Sequence, residues 1–120
     1  MARYVDGFIV AIPTRNVEAY RKLSRKAGKI WIEYGAVEYV ECIADDVKPG
    51  KLTSFPQSVK LKADETVAFS WITYKSRKHR DTVNKKVMAD PRLEAMMDMN
   101  NLPFDGKRMI FGGFKGIVEL

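Results

Sequence analysis

Two segments of this chain are apolar on both faces of an extended backbone, and this limits what the chain can fold into more than any other feature. In Tyr4-Val5-Asp6-Gly7-Phe8-Ile9-Val10-Ala11-Ile12, the side chains of Val5, Ile9 and Ala11 point one way, and those of Tyr4, Phe8, Val10 and Ile12 point the other. The stretch from Thr66 to Tyr74 repeats the arrangement, with Val67, Phe69 and Trp71 opposed to Ala68, Ile72 and Tyr74. Both runs are rich in β-branched and aromatic residues and read as strands. A sheet built on them has to be covered on both sides.

The remaining segments supply the covering for one side. Thr14 or Asn16 caps a helix whose Val17, Tyr20, Ala27, Ile30 or Trp31, and Tyr34 recur at helical spacing, and Gly35 ends it. From Ala36 to Asp46, Val37, Tyr39, Glu41 and Ile43 alternate with Glu38, Val40, Cys42 and Ala44, the pattern of a second strand. Pro49, Gly50 and Pro56 mark the stretch from Val47 to Glu65 as a long connection that forms a lid or an edge. After the third strand, Ser76 caps a helix carrying His79, Val83 and Val87 on one stripe, and Asp90-Pro91 restarts a helical segment with Leu93, Met96 and Met97 inward. A turn at Pro103–Gly106 leads into a last strand over Lys107–Val118, where Gly112-Gly113 marks a bulge or a close backbone approach.

The order βαββαβ predicts an α+β sandwich, one domain over residues 1–120, with a four-stranded, mostly antiparallel sheet and helices on one face. The second apolar face needs its own cover, and a second copy packed face to face as a twofold homodimer supplies it. The alternative is a monomer whose long connection folds across the sheet.

Composition narrows the function classes. No apolar run approaches the roughly 20 residues needed to span a bilayer, and the N-terminal stretch lacks the apolar core of a secretion signal, so a cytoplasmic location is expected. One cysteine, Cys42, and one histidine, His79, cannot build an intrachain disulfide or a Cys/His zinc site. Asp45-Asp46 reads as a solvated strand end, and Gly50-Lys51 lacks the other residues of a phosphate loop, so no metal or cofactor is expected. The net charge of +6 is uneven: between residues 75 and 92, seven Lys and Arg side chains face only Asp81 and Asp90. The first helix adds Arg15, Arg21, Lys22, Arg25, Lys26 and Lys29. Such faces attract nucleic-acid phosphates without specificity, but Gly112-Gly113-Phe114 is not the exposed-aromatic motif by which sheets of this topology stack on RNA.

Tyr4-Val5-Asp6-Gly7-Phe8, Val40-Glu41, Asp45-Asp46-Val47 leading to Gly50-Lys51, Phe69-Ser70-Trp71-Ile72, Asp90-Pro91-Arg92 and the run from Pro103 to Phe114 together resemble the YbaA-like family of uncharacterised bacterial proteins. The likeness covers nearly the whole chain. It implies a ferredoxin-like protomer of the dimeric α/β-barrel superfamily, whose sheet pairs with a second one to form a barrel. Tyr74-Lys75-Ser76 departs from the aromatic-Pro-Ser expected of relatives. Cofactor-free monooxygenases and isomerases of that superfamily, which use the barrel interior as a ligand pocket, offer analogy at the level of fold alone.

Three side chains are candidates for proton transfer. Asp6 shares a strand face with Tyr4, Phe8 and Val10, and Glu41 shares one with Tyr39 and Ile43, so each acid sits among groups that would desolvate it. Each reads either as a general acid or base or as an interface carboxylate paired with a basic residue of the partner. His79 reads as a structural histidine bonded to a backbone carbonyl or as an auxiliary proton shuttle. Tyr39, Trp71, Phe8 and Tyr4 are the expected walls of a pocket for a small apolar or aromatic molecule in the barrel interior, against the alternative of ordinary core aromatics. The functional expectation is a homodimer binding such a molecule, with catalysis left open. The alternatives are an RNA- or protein-interaction module working through the basic helices, and a purely structural dimer.

Overall fold

The computed structural model describes residues 2–98 and 101–120. Strand β1 (Tyr4–Pro13) runs through a 3₁₀ turn at Thr14–Asn16 into helix α1 (Val17–Glu33), followed by strand β2 (Glu38–Ile43) and a short helix α2 (Phe55–Ser58) within the long connection. Strand β3 (Glu65–Tyr74), helices α3 (Arg77–Met88) and α4 (Pro91–Met96) and strand β4 (Ile110–Lys115) complete it. All pairings are antiparallel, in the order β2-β3-β1-β4. This is the α+β, ferredoxin-like sheet that the order of elements requires. Among the described residues, no helix is long and apolar enough to cross a membrane.

Local chemistry sets the boundaries. Ser76 accepts from the His79 amide and caps α3, so the departure at Lys75 leaves the helix start intact. Asp90 caps α4 ahead of Pro91, and Gly35 ends α1 with φ +112°, a conformation that costs glycine nothing. Asn16 does not cap α1 with its side chain; it donates to the Pro103 carbonyl instead and ties the helix start to the segment before β4. The last strand is shorter than the expected Lys107–Val118, because Asp105 accepts from the Lys107 amide and winds Gly106–Arg108 into a 3₁₀ turn. The pairing runs without interruption through Gly112 and Gly113, so no bulge forms. A Cβ at Gly113 would stand 2.4 Å from the Tyr4 hydroxyl, which makes this the close approach.

Register decides which strand faces share a side. Tyr4 opposes Tyr74, Asp6 opposes Ile72 and Val10 opposes Ala68, while Tyr39 of β2 also opposes Ile72 and Glu41 opposes Ser70. These side chains lie beneath α1, α3 and α4, where Ile30, Val83, Val87 and Leu93 are buried against the sheet. Val5, Ile9, Phe69, Trp71, Ile110 and Phe114 line the other side. The long connection covers only one end of that side, burying Val59 against Ala11 and Val67. Phe114 remains 66% exposed and Phe69 42% exposed.

Candidate functional site

Between the sheet and α1 lies a cavity of about 350 Å³, small for a ligand site but within reach of one. Tyr20, Leu23, Ser24, Ala27 and Trp31 come from α1, Phe8 from β1, Tyr39 and Glu41 from β2, and Ser70 and Ile72 from β3. Leu93 and Met97 close one side, and Phe104 and Met109 another. The lining is overwhelmingly apolar, and Glu41 is its one ionisable carboxylate.

Glu41 is held from two directions. The Tyr20 hydroxyl donates to one carboxylate oxygen at 2.6 Å, and the Tyr39 hydroxyl donates to the other at 3.0 Å. Burial, and then the adjacent Glu41 charge, push both phenols well above the ordinary tyrosine range, so they stay protonated donors. Each carboxylate oxygen keeps a second acceptor position. A ligand hydroxyl or amine in the cavity would therefore find a fixed acceptor that needs no reorganisation to meet it. The sequence shows β2's alternation but not the tyrosine clamp, because Tyr20 lies on a helix and reaches Glu41 only through the packing of α1.

The other predicted site residues are distributed differently. Asp6 is buried on the same side of the sheet, outside the cavity lining, with the Arg80 guanidinium at 3.5 Å and the Asn84 amide donating at 3.4 Å. Burial pushes the Asp6 carboxyl upward, and Arg80 acts against it. Arg80 also donates to the Tyr4 hydroxyl and sits 4.8 Å above the Tyr4 ring, while Tyr74 and Trp31 both donate to Asn84. Tyr4 and Asp6 thus belong to one polar network that ties β1 to α3. Within its own chain Asp6 is paired with Arg80 and accepts from Asn84.

His79 is half-buried beside Tyr74, and its Nδ1 accepts from the Lys75 amide at 3.0 Å. The expected carbonyl partner is replaced by an amide donor, because the cap at Ser76 folds the chain back over the ring. Trp71 points to the opposite side of the sheet from Tyr39, Phe8 and Tyr4, and its indole donates to Glu38 at 2.7 Å. The expected single pocket formed by these residues is therefore divided by the sheet itself. Glu41, Tyr39 and Phe8 line the cavity under α1, and Trp71 lines the open face. The period of two reports alternation but not which side the helices take.

A second hollow of about 480 Å³ lies on the outer side of Tyr39 and Glu41, under Arg21, Arg25 and Lys29 of α1. Among the described residues, no three His, Cys, Asp or Glu side chains converge to hold a metal ion.

The sequence profile described as "Protein of unknown function (DUF1428)" matches residues 3–106. The chain belongs to the DUF1428 family. The uncharacterised protein YbaA of Escherichia coli K12 is 48% identical over 117 residues, covering 98% of both chains, and the same figures hold for YbaA of Shigella flexneri. Two solved structures share the fold of this DUF1428 chain at low identity. A NIPSNAP family protein of unknown function from Agrobacterium tumefaciens has a TM-score of 0.57 at 15% identity, over 95% of this chain and 87% of its own. A dimeric ferredoxin-like protein from an uncultured marine organism has a TM-score of 0.54 at 8% identity and covers 100% of both chains. The YbaA-like resemblance of the DUF1428 sequence is thereby shown.

Proposed function

We propose that this protein is a homodimer that binds a small, largely apolar or aromatic molecule in the cavity between its sheet and α1, with Glu41 as the acceptor for the ligand's polar group. The observation that carries the reading is the Tyr20–Glu41–Tyr39 clamp in an otherwise apolar cavity. A carboxylate in such a place is expensive to keep unless it is hydrogen-bonded, and two phenols dedicated to it fix its direction. Of the acids and the histidine singled out in the sequence, Glu41 is the one among the cavity-lining side chains, and it is the proton-transfer group of choice.

Dimerisation is supported by the second apolar face. Val5, Ile9, Phe69, Trp71, Ile110 and Phe114 form one continuous surface that the long connection leaves largely uncovered, and a second copy would bury it. The marine ferredoxin-like protein of the same fold is described as dimeric. Because the cavity lies on the helix side, each protomer would carry its own.

A thermal-shift series with small aromatic and alicyclic hydroxy compounds tests the binding reading, using wild type, Glu41→Gln and the cavity-filling Leu23→Trp. Ligand at a hundred times its dissociation constant adds about 2.7 kcal/mol to stability. The expected result is stabilisation of wild type, reduced in Glu41→Gln and absent in Leu23→Trp. Equal stabilisation of Leu23→Trp would place the ligand elsewhere and overturn the reading.

A further inference from the structure

The outer hollow and the inner cavity share three lining residues, Ser24, Tyr39 and Glu41. These three side chains border both hollows, so the two adjoin along them. Their chemistry is opposite. The inner cavity is apolar, whereas the outer one is overhung by Arg21, Arg25 and Lys29, which stand at i, i+4 and i+8 along α1 and so share a helix face. Arg21 pairs with Glu18 at 3.2 Å, both side chains well exposed. Among the described residues, Arg25 and Lys29 have no carboxylate partner in an ion pair.

We infer that the ligand of the cavity is an amphiphilic anion, an organic acid whose apolar body enters between the sheet and α1 and whose carboxylate stays outside with Arg25 and Lys29. The inference rests on the cavity reading above and adds the ligand's charge and orientation to it. The reverse orientation is unfavourable, because a carboxylate inside would be stripped of water beside Glu41, a like charge in an apolar setting. A cationic head is also disfavoured, since it would meet the basic side chains at the mouth. An anion approaching α1 is drawn to the mouth over a Debye length of about 8 Å at physiological salt. Ser24, Tyr39 and Glu41, which line both hollows, then border the ligand where its charged end meets its apolar body. A Cβ at Gly28 would stand 2.6 Å from Tyr39 Cδ1, so only glycine lets the ring lie against the helix beside both hollows.

The test is calorimetric titration of the full-length protein with two matched pairs, naphthaleneacetate with naphthaleneacetamide, and octanoate with octanamide. In each pair the body is kept and only the charge is removed. The expected result is that the anion of at least one pair binds about tenfold more tightly than its amide, the sum of two exposed charge interactions. That gap should shrink with added salt and close in Arg25→Gln/Lys29→Gln as the anion's affinity falls to the amide's. Arg25→Lys/Lys29→Arg, which keeps both charges, should retain it. Equal binding of anion and amide to wild type, or a gap that survives in the double Gln variant, overturns the anion inference and leaves the cavity reading standing. Binding of no member of either pair to wild type overturns the anion inference, while the hydroxy-compound series decides the cavity reading separately.

Discussion

Tyr39 lies so closely over Gly28 that a Cβ on the glycine would come within 2.6 Å of the ring. The contact joins a buried position of α1 to the strand that carries Glu41, and it sets the ring from which the Tyr39 hydroxyl reaches the carboxylate. Gly28 in mid-helix is unfavourable by about 1 kcal/mol relative to alanine in propensity alone. Gly28→Ala should nevertheless destabilise the protein by about 1–2 kcal/mol, because overpacking against an aromatic ring outweighs the propensity gain. Urea unfolding measures this, and a stabilised variant would show that the ring yields freely.

The clamp on Glu41 has a spectroscopic signature. Tyr20 and Tyr39 titrate high first because they are buried and second because Glu41 is charged beside them. In Glu41→Gln the second cause disappears, so the phenolate absorbance of these two residues should develop at lower pH than in wild type. Tyr20→Phe should cost about 1–2 kcal/mol, since it leaves a carboxylate oxygen without its donor. Alkaline difference spectra of wild type, Glu41→Gln and Tyr20→Phe check both statements, and identical titrations would deny the coupling.

The ion pair between Arg108 and Glu65 contributes to acid stability. The Arg108 guanidinium grips Glu65 with two parallel bonds, at 2.9 and 2.5 Å, and also donates to the carbonyls of Val59 and Lys60. The Arg108 bonds hold the Glu65 carboxyl at about 2, below its ordinary 4.5. A carboxyl depressed by folding contributes stability that is fully present above its unfolded value and is lost as pH falls toward its folded one. Stability should therefore decline between about 4.5 and about 2 through this group. Asp90, held low by Arg92 and Tyr34, adds to the same slope. Glu65→Gln should lower stability at neutral pH by about 2 kcal/mol and make the acid limb shallower. An unchanged acid limb in guanidinium titrations would count against the assignment.

The open face yields a prediction about mass. Phe69 and Phe114 project from it, and both are substantially exposed in the protomer. Wild type should sediment at about twice 13.7 kDa, and Phe69→Glu/Phe114→Glu should sediment at 13.7 kDa with its secondary structure intact. A wild-type mass of 13.7 kDa at micromolar concentration would remove the dimer.

Asp6 separates a structural role from a chemical one. With Arg80 of its own chain as the main charged partner, Asp6→Asn should change stability and leave ligand affinity at Glu41 within a factor of about two. A large loss of affinity with unchanged stability would return Asp6 to the site.

The sequence by itself determined the order of strands and main helices, and it marked where α1 ends and where α3 and α4 begin, but not the bounds of β4. Ser76 and Asp90 can cap a following helix with their own side chains, Gly35 can adopt the backbone that ends one, and alternation in β1 and β3 demands an extended chain. These are local effects, decided within a few residues. The presence of two apolar faces was equally legible, and so was the need to cover both. Only the tertiary structure decided which face the helices take, because alternation is symmetric between the sides. That choice sent Trp71 to one side of the sheet and Tyr39, Phe8 and Tyr4 to the other. It also brought Tyr20 to Glu41, and Arg108 to Glu65 across 43 positions. Pairings of this kind depend on register and on the packing of a helix against a sheet, and a pattern read along one chain direction carries neither.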